Sequence, residues 1–160
     1  MKFAHQLLAG CLMLCFAVAG AADSTTNFVT LKFLADGTPA WTNVFDAGGN
    51  DQPVAMTLDN AGDVYVTGSS FDLSQEVART DYLTVKYTAA GVPVWTNRTD
   101  RSGFNDVPAA LVAGGGGVFV TGEGYDGDYF AAFTVKIDAA AGTNVWTAEF
   151  GNEGQSLENA

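Results

Sequence analysis

The feature that most limits what this chain can become is that it says nearly the same thing three times. Thr30–Asn43 (TLKFLADGTPAWTN), Thr84–Asn97 (TVKYTAAGVPVWTN) and Thr134–Thr147 (TVKIDAAAGTNVWT) correspond almost residue for residue. Their tryptophans, Trp41, Trp95 and Trp146, stand 54 and 51 residues apart. VYVTG at Val64–Gly68 returns as VFVTG at Val118–Gly122, and NDQPVA at Asn50–Ala55 returns as NDVPAA at Asn105–Ala110. A repeat of this length is a copied supersecondary unit, and such units bury their apolar faces against one another.

Within a unit the period is two. Val29, Leu31 and Phe33 share one face of a segment; Leu83, Val85 and Tyr87 match them, as do Phe133, Val135 and Ile137. Alternation rich in β-branched and aromatic residues predicts strands. Turn residues separate them: Ala35–Gly37, Ala89–Gly91 and Ala139–Gly142 before the tryptophans, Asp59–Asp63 and Ala113–Gly117 before the VTG segments. Each unit therefore predicts four short strands: Thr-x-Lys, tryptophan, VAMTLD or PAALVA, and VTG. Longer loops are expected at Ser69–Asp81 and Glu123–Asp128. The fold class is all-β, with units at about 28–81, 82–131 and 132–160.

Residues 1–22 stand apart. Lys2, an apolar run from Leu7 to Val18 and small residues after it form a secretory leader, expected as a signal helix too short to span a membrane. Cleavage after Ala21 or Ala22 leaves a domain at 23–160 and predicts export, to the cell surface, the medium or the periplasm. LAGC at Leu8–Cys11 also fits a lipoprotein signal acylated at Cys11. The apolar run continues past that cysteine and little precedes it, which argues against acylation. Cys11, Cys15 and His5 all fall in the leader. Positions 23–160 thus offer no disulfide, no thiol or imidazole ligand and no nucleophile–histidine pair.

The chain has 18 acidic and 7 basic residues, a net charge of −11. Such a surface repels nucleic acid and anionic lipid, and serves solubility.

DYLTVKYTAAGVPVWTN, DNAGDVYVTG and their copies resemble the SBBP-type β-propeller repeats of secreted and surface bacterial proteins. IDAAAGTNVWT is similar, more weakly, to quinoprotein-like (PQQ-type) propeller repeats, although VYVTG and the longer unit depart from them. The first resemblance implies blades of four antiparallel strands. It covers about Phe28 to Ala160. The function it implies is a non-enzymatic binding or structural module with a protein or glycan partner. The alternative is part of a propeller enzyme or lectin, glycan-acting or PQQ-type, with its site in other blades.

About two and a half blades are present, and propellers close with roughly four to eight. The expectation is a fragment of a longer propeller. Other ways to meet the same need are a protomer that completes a ring by oligomerising and a small open sandwich.

Three sets of residues are candidates for a site. Trp41, Trp95 and Trp146 recur as packing between units, or as a ligand-stacking row. Lys32, Lys86 and Lys136 recur inside the stack and need partners. Asp51 and Asp106 also recur and are the expected partners, with Ser156 in the corresponding third place. Glu123, Asp126 and Asp128 form the densest acidic loop, a weak candidate for Ca²⁺. No catalytic pair and no other cofactor is indicated.

Overall fold

The computed structural model describes residues 3–8, 11–19, 25–72 and 79–151, and all regular structure among them is β. Strands β1 (Phe3–Leu8), β2 (Cys11–Ala19), β3 (Thr26–Phe33) and β4 (Pro39–Phe45) form one sheet. Strands β5 (Asp51–Leu58), β6 (Val64–Asp72), β7 (Arg79–Tyr87) and β8 (Pro93–Thr99) form a second. Strands β9 (Asp106–Gly114), β10 (Gly117–Tyr125), β11 (Phe130–Asp138) and β12 (Asn144–Phe150) form a third. Each sheet is an antiparallel meander in chain order. The first strands of successive sheets lie side by side, β1 against β5 and β5 against β9.

The period-two faces of the second and third units are buried as the sequence places them. In the first unit Val29, Leu31 and Phe33 are only partly buried, and Phe28, on the other face of β3, enters the seam. Val64, Val66, Leu83, Val85 and Tyr87 of the second sheet are buried with Phe28 of the first. Val118, Val120, Phe133, Val135 and Ile137 of the third are buried with Tyr65 and Tyr82 of the second. Each sheet therefore lends one apolar face to each neighbour. At about 25 cal/mol per Å² of apolar surface removed from water, these two seams are the main force holding the stack together.

The glycine of VTG is explained by a bulge. The β5–β6 register slips between Pro53 and Ala55, and the β9–β10 register slips between Thr121 and Gly122. A Cβ on Gly68 would lie 2.6 Å from Pro53 Cα and 2.7 Å from Phe28 Cζ; on Gly122 it would lie 2.7 Å from both Pro108 Cα and the Tyr82 hydroxyl. The bulge and an aromatic ring from the preceding sheet share the space that a side chain would fill.

Two expectations are corrected. Phe3–Leu8 and Cys11–Ala19 are strands, not the signal helix: β1 pairs with β2, and β2 pairs along β3 from Leu12↔Phe33 to Ala19↔Thr26. An apolar run of this length does not separate helix from buried strand by periodicity, and the edge of β3 offers it backbone partners. The loops are also shorter than expected. β6 reaches Asp72 and β7 starts at Arg79, while β10 reaches Tyr125, so Glu123 lies in a strand. The leader's cleavage positions, residues 73–78 of the first unit and residues 152–160 of the third, with Ser156, lie outside the described residues. Among the described residues no helix is long and apolar enough to cross a membrane.

Candidate functional site

The recurring lysines and tryptophans converge on one feature, a turn of the next sheet. In the first sheet Lys32 and Trp41 are cross-strand partners on β3 and β4. Lys32 Nζ donates to the Ala89 carbonyl at 2.9 Å, Trp41 Nε1 to the same oxygen at 3.3 Å, and Asn43 Nδ2 to the Gly91 carbonyl at 2.8 Å. The second sheet repeats the grip one unit on. Lys86 Nζ donates to the Ala139 carbonyl at 2.9 Å, Trp95 Nε1 to it at 3.2 Å, and Asn97 Nδ2 to the Gly142 carbonyl at 2.9 Å. Each turn is thus held by a cation, an indole and an amide from the sheet before it.

Glycine makes the grip possible. Gly91 and Gly142 have φ of +85° and +73°, a region that costs a side chain about 1 kcal/mol or more. An added Cβ would stand 2.7 Å from Trp41 Cγ and 2.6 Å from Trp95 Cγ. The indoles therefore pack directly against the two glycines, in space that a side chain would fill.

The expected pairing of Lys86 with Asp106 is not what forms. Lys86 pairs with Asp63 at 3.1 Å and lies 5.2 Å from the centre of the Tyr65 ring. Burial works against its charge, but bonds to Tyr65 and Asp63 more than offset this and raise its pKa. Asp63 also accepts the Ala89 amide at 3.1 Å, tying the two turns of its own sheet.

Asp51 and Asp106 serve backbone instead. Asp51 accepts the Ala47 amide at 2.8 Å. Asp106 accepts the Arg101 amide at 2.6 Å and the Tyr125 amide at 3.2 Å. Both are fully buried. Burial raises both pKa values, that of Asp106 to about 6 despite its amide donors. The asparagines before them reach the other way: Asn50 accepts the Thr26 amide at 3.1 Å and Asn105 the Thr80 amide at 3.0 Å. Each Asn-Asp pair is a clip, Asn holding the preceding sheet's third strand and Asp holding the loop that enters its own strand.

The acidic loop does not gather. Asp126 accepts the Asp128 and Tyr129 amides at 3.0 and 2.8 Å, which lower its pKa, and pairs with Arg101 at 3.3 Å. Arg101 also holds Glu149 at 2.7 Å. Among the described residues no group of three or more histidines, cysteines and acids is placed to hold a metal ion. A groove of about 250 Å³ lies between the Asp59–Ala61 turn and Gly114–Gly117. Its acid, Asp59, accepts the Ala61 and Asp63 amides and the Tyr65 hydroxyl.

Sequence reasoning singled out Lys32, Lys86, Trp41 and Trp95 but not their targets. Asn43, Asn97, Asn50 and Asn105 were in the repeated strings WTN and ND, and their recurrence was the signal. Compared with models of known protein families and with curated protein sequences, the chain matches none.

Proposed function

We propose that this chain is part of an exported, non-enzymatic β-propeller of SBBP-type repeats, a binding or structural module at the cell surface or outside the cell. The observation that carries the reading is the grip made twice: Lys32, Trp41 and Asn43 on one turn, Lys86, Trp95 and Asn97 on the next. The recurring side chains join one sheet to the next, and β5 and β9 lie side by side, as successive blades around an axis require. Cleavage removes β1 and β2 and frees the edge of β3 for other strands. The basic, apolar and small-residue order of the leader supports export. The acidic surface suits a protein or glycan partner better than a polyanion.

The test uses the native protein from its source. Fractionation with N-terminal sequencing should place it outside the cytoplasm with a new N-terminus at residue 22 or 23. Negative-stain images should show a disc with a central channel. An intracellular product that keeps Met1, or particles without a disc outline, would overturn the reading.

A further inference from the structure

We propose that two copies of this chain join head to tail, the Leu34–Thr38 turn of one copy seating on the outer face of the third sheet around Lys136 and Trp146 of the other. The proposal rests on the reading of the sheets as repeats stacked by one kind of joint. Among the described residues both halves of that joint are present and uncovered.

The first half is the outer face of the third sheet. In the second sheet the matching face is covered: Tyr65, Thr67 and Thr84 are 0, 0 and 1% exposed. Tyr65 lies 5.9 Å from the Trp95 ring, and the Thr67 and Thr84 hydroxyls meet at 3.1 Å. The third sheet repeats each part. Phe119 lies 6.0 Å from the Trp146 ring, Lys136 Nζ stands 5.5 Å from the Phe119 ring centre, and the Thr121 and Thr134 hydroxyls meet at 2.9 Å. Here Trp146 is 42% exposed, and among the described residues Lys136 Nζ has no hydrogen-bond partner. A groove of about 320 Å³ opens along Val112, Phe119 and Thr134.

The second half is the Leu34–Thr38 turn. It closes by the bonds that close the gripped turn: Leu34 N to Thr38 O at 2.9 Å and Gly37 N to Leu34 O at 3.0 Å, against 2.8 Å for Thr88 to Val92 and for Gly91 to Thr88. Gly37 has φ +84° where Gly91 has +85°. Trp41 lies against Gly91, but a Cβ on Gly37 would meet nothing within 4 Å. Ala35 therefore offers its carbonyl where Ala89 offers one.

Charge favours a second copy as the occupant. Gly117 stands in the third sheet where Asp63 stands in the second, so Lys136 lacks the acid that Lys86 holds. The Leu34–Thr38 turn carries Asp36 where the gripped turn carries Ala90. The turn brings a carboxylate into the neighbourhood of a lysine that forms no ion pair among the described residues. Its Oδ1 accepts the Thr38 amide and hydroxyl, and its other oxygen bonds neither. Ala148 replaces the amide of Asn97, so this joint has one hydrogen bond fewer than the internal ones and is weaker. Because the two surfaces differ, the contact is heterologous and each copy keeps one half free for a further neighbour.

Cysteine trapping tests this in the full chain with Cys11→Ser and Cys15→Ser. A Cβ on Gly142 would lie 3.0 Å from Trp95 Cβ, a small shift from the ~3.8 Å that a disulfide needs. Trp95→Cys with Gly142→Cys is thus the internal control, and Gly37→Cys mixed with Trp146→Cys at about 100 µM tests the joint between copies. The expected result is closure of the control and a mixed dimer at least tenfold more abundant than either variant forms alone. Sedimentation of the chain without added cysteines should show association that Trp146→Ala weakens at least tenfold. Closure of the control without the mixed dimer, or equal cross-linking by either variant alone, overturns the head-to-tail joint. That includes the case of a longer native chain whose next repeat covers Trp146. Failure of the control overturns the grip itself and the propeller reading with it.

Discussion

Three glycines at one turn position make a measurement of what the indole grip is worth. Gly37 and Gly91 have nearly the same φ, +84° and +85°. Alanine at either site meets the same backbone penalty, about 1 kcal/mol. Gly37→Ala stops there, because its new methyl meets nothing within 4 Å. Gly91→Ala drives a methyl to 2.7 Å from Trp41 Cγ and Cδ2, near the root of the ring, where a rotamer change cannot relieve it. Trp41 must move out, disturbing its packing by about 1–3 kcal/mol and its bond to the Ala89 carbonyl by about 1 kcal/mol. The expected losses are therefore about 1 kcal/mol for Gly37→Ala and about 3–5 kcal/mol for Gly91→Ala. Gly142→Ala, facing Trp95 Cγ at 2.6 Å, should resemble the second. Urea midpoints at constant slope, taken at a concentration where the protein is monomeric, read these differences. Equal losses at the exposed and gripped positions would refute the reasoning, because the φ penalty alone would then account for all three.

Other outcomes follow from the same geometry. Lys86→Met should cost about 1–2 kcal/mol, since the ion pair is largely but not wholly buried. In a double-mutant cycle it should couple to Asp63→Asn and add independently with Asp106→Asn; the reverse would restore the pairing first expected. Asp106 holds its proton to about pH 6 in the fold, above the ordinary carboxylate value of 3.8, because it is buried. Its contribution to stability is thus fully present below the unfolded value and is lost as pH rises through about 6. The shift sets the expected loss at no more than about 3 kcal/mol. Asp106→Asn should flatten the stability profile between about pH 4 and 7 by that amount, measured as urea midpoints across the range. Asn97→Ala removes bonds to the Gly142 carbonyl and the Asn144 side chain and should lower stability by about 2 kcal/mol, more than Asn43→Ala with its single bond.

The strands were legible in the sequence because their signal is local. Val64, Val66, Val118 and Val120 alternate with side chains facing the other way, and glycines mark the turns. Counting such segments between turns gave four strands per repeat but not their frame: the second and third sheets each join the last two strands of one unit to the first two of the next. The partners were less legible because they depend on how sheets face one another. Lys86 has two acids at repeated or nearby positions, Asp63 and Asp106, and spacing alone does not rank them. The offset of one sheet on the next brings Asp63 to 3.1 Å and leaves Asp106 among backbone amides. The leader misled for a different reason. Its apolar residues suit a helix in isolation, and the pairing of β2 with β3 is a tertiary contact that no local pattern records. Glu123 was grouped with Asp126 and Asp128 by closeness in the chain, but β10 continues through Tyr125 and carries Glu123 into the sheet.

The Asn-Asp clip has a consequence for how such a chain can change over generations. Asn105 reaches back to Thr80 and Asp106 holds Arg101 within its own approach loop, so the residues that join two units travel inside one stretch of sequence. A duplication in frame with the period of about 54 residues brings a complete fastening with it, and nothing in the older units has to be redesigned. Length can then drift by whole units while point changes inside a clip remain costly. Under that regime unit number is the freely varying character of the protein, and the clips, more than the surface between them, are where selection would leave the sequence alone.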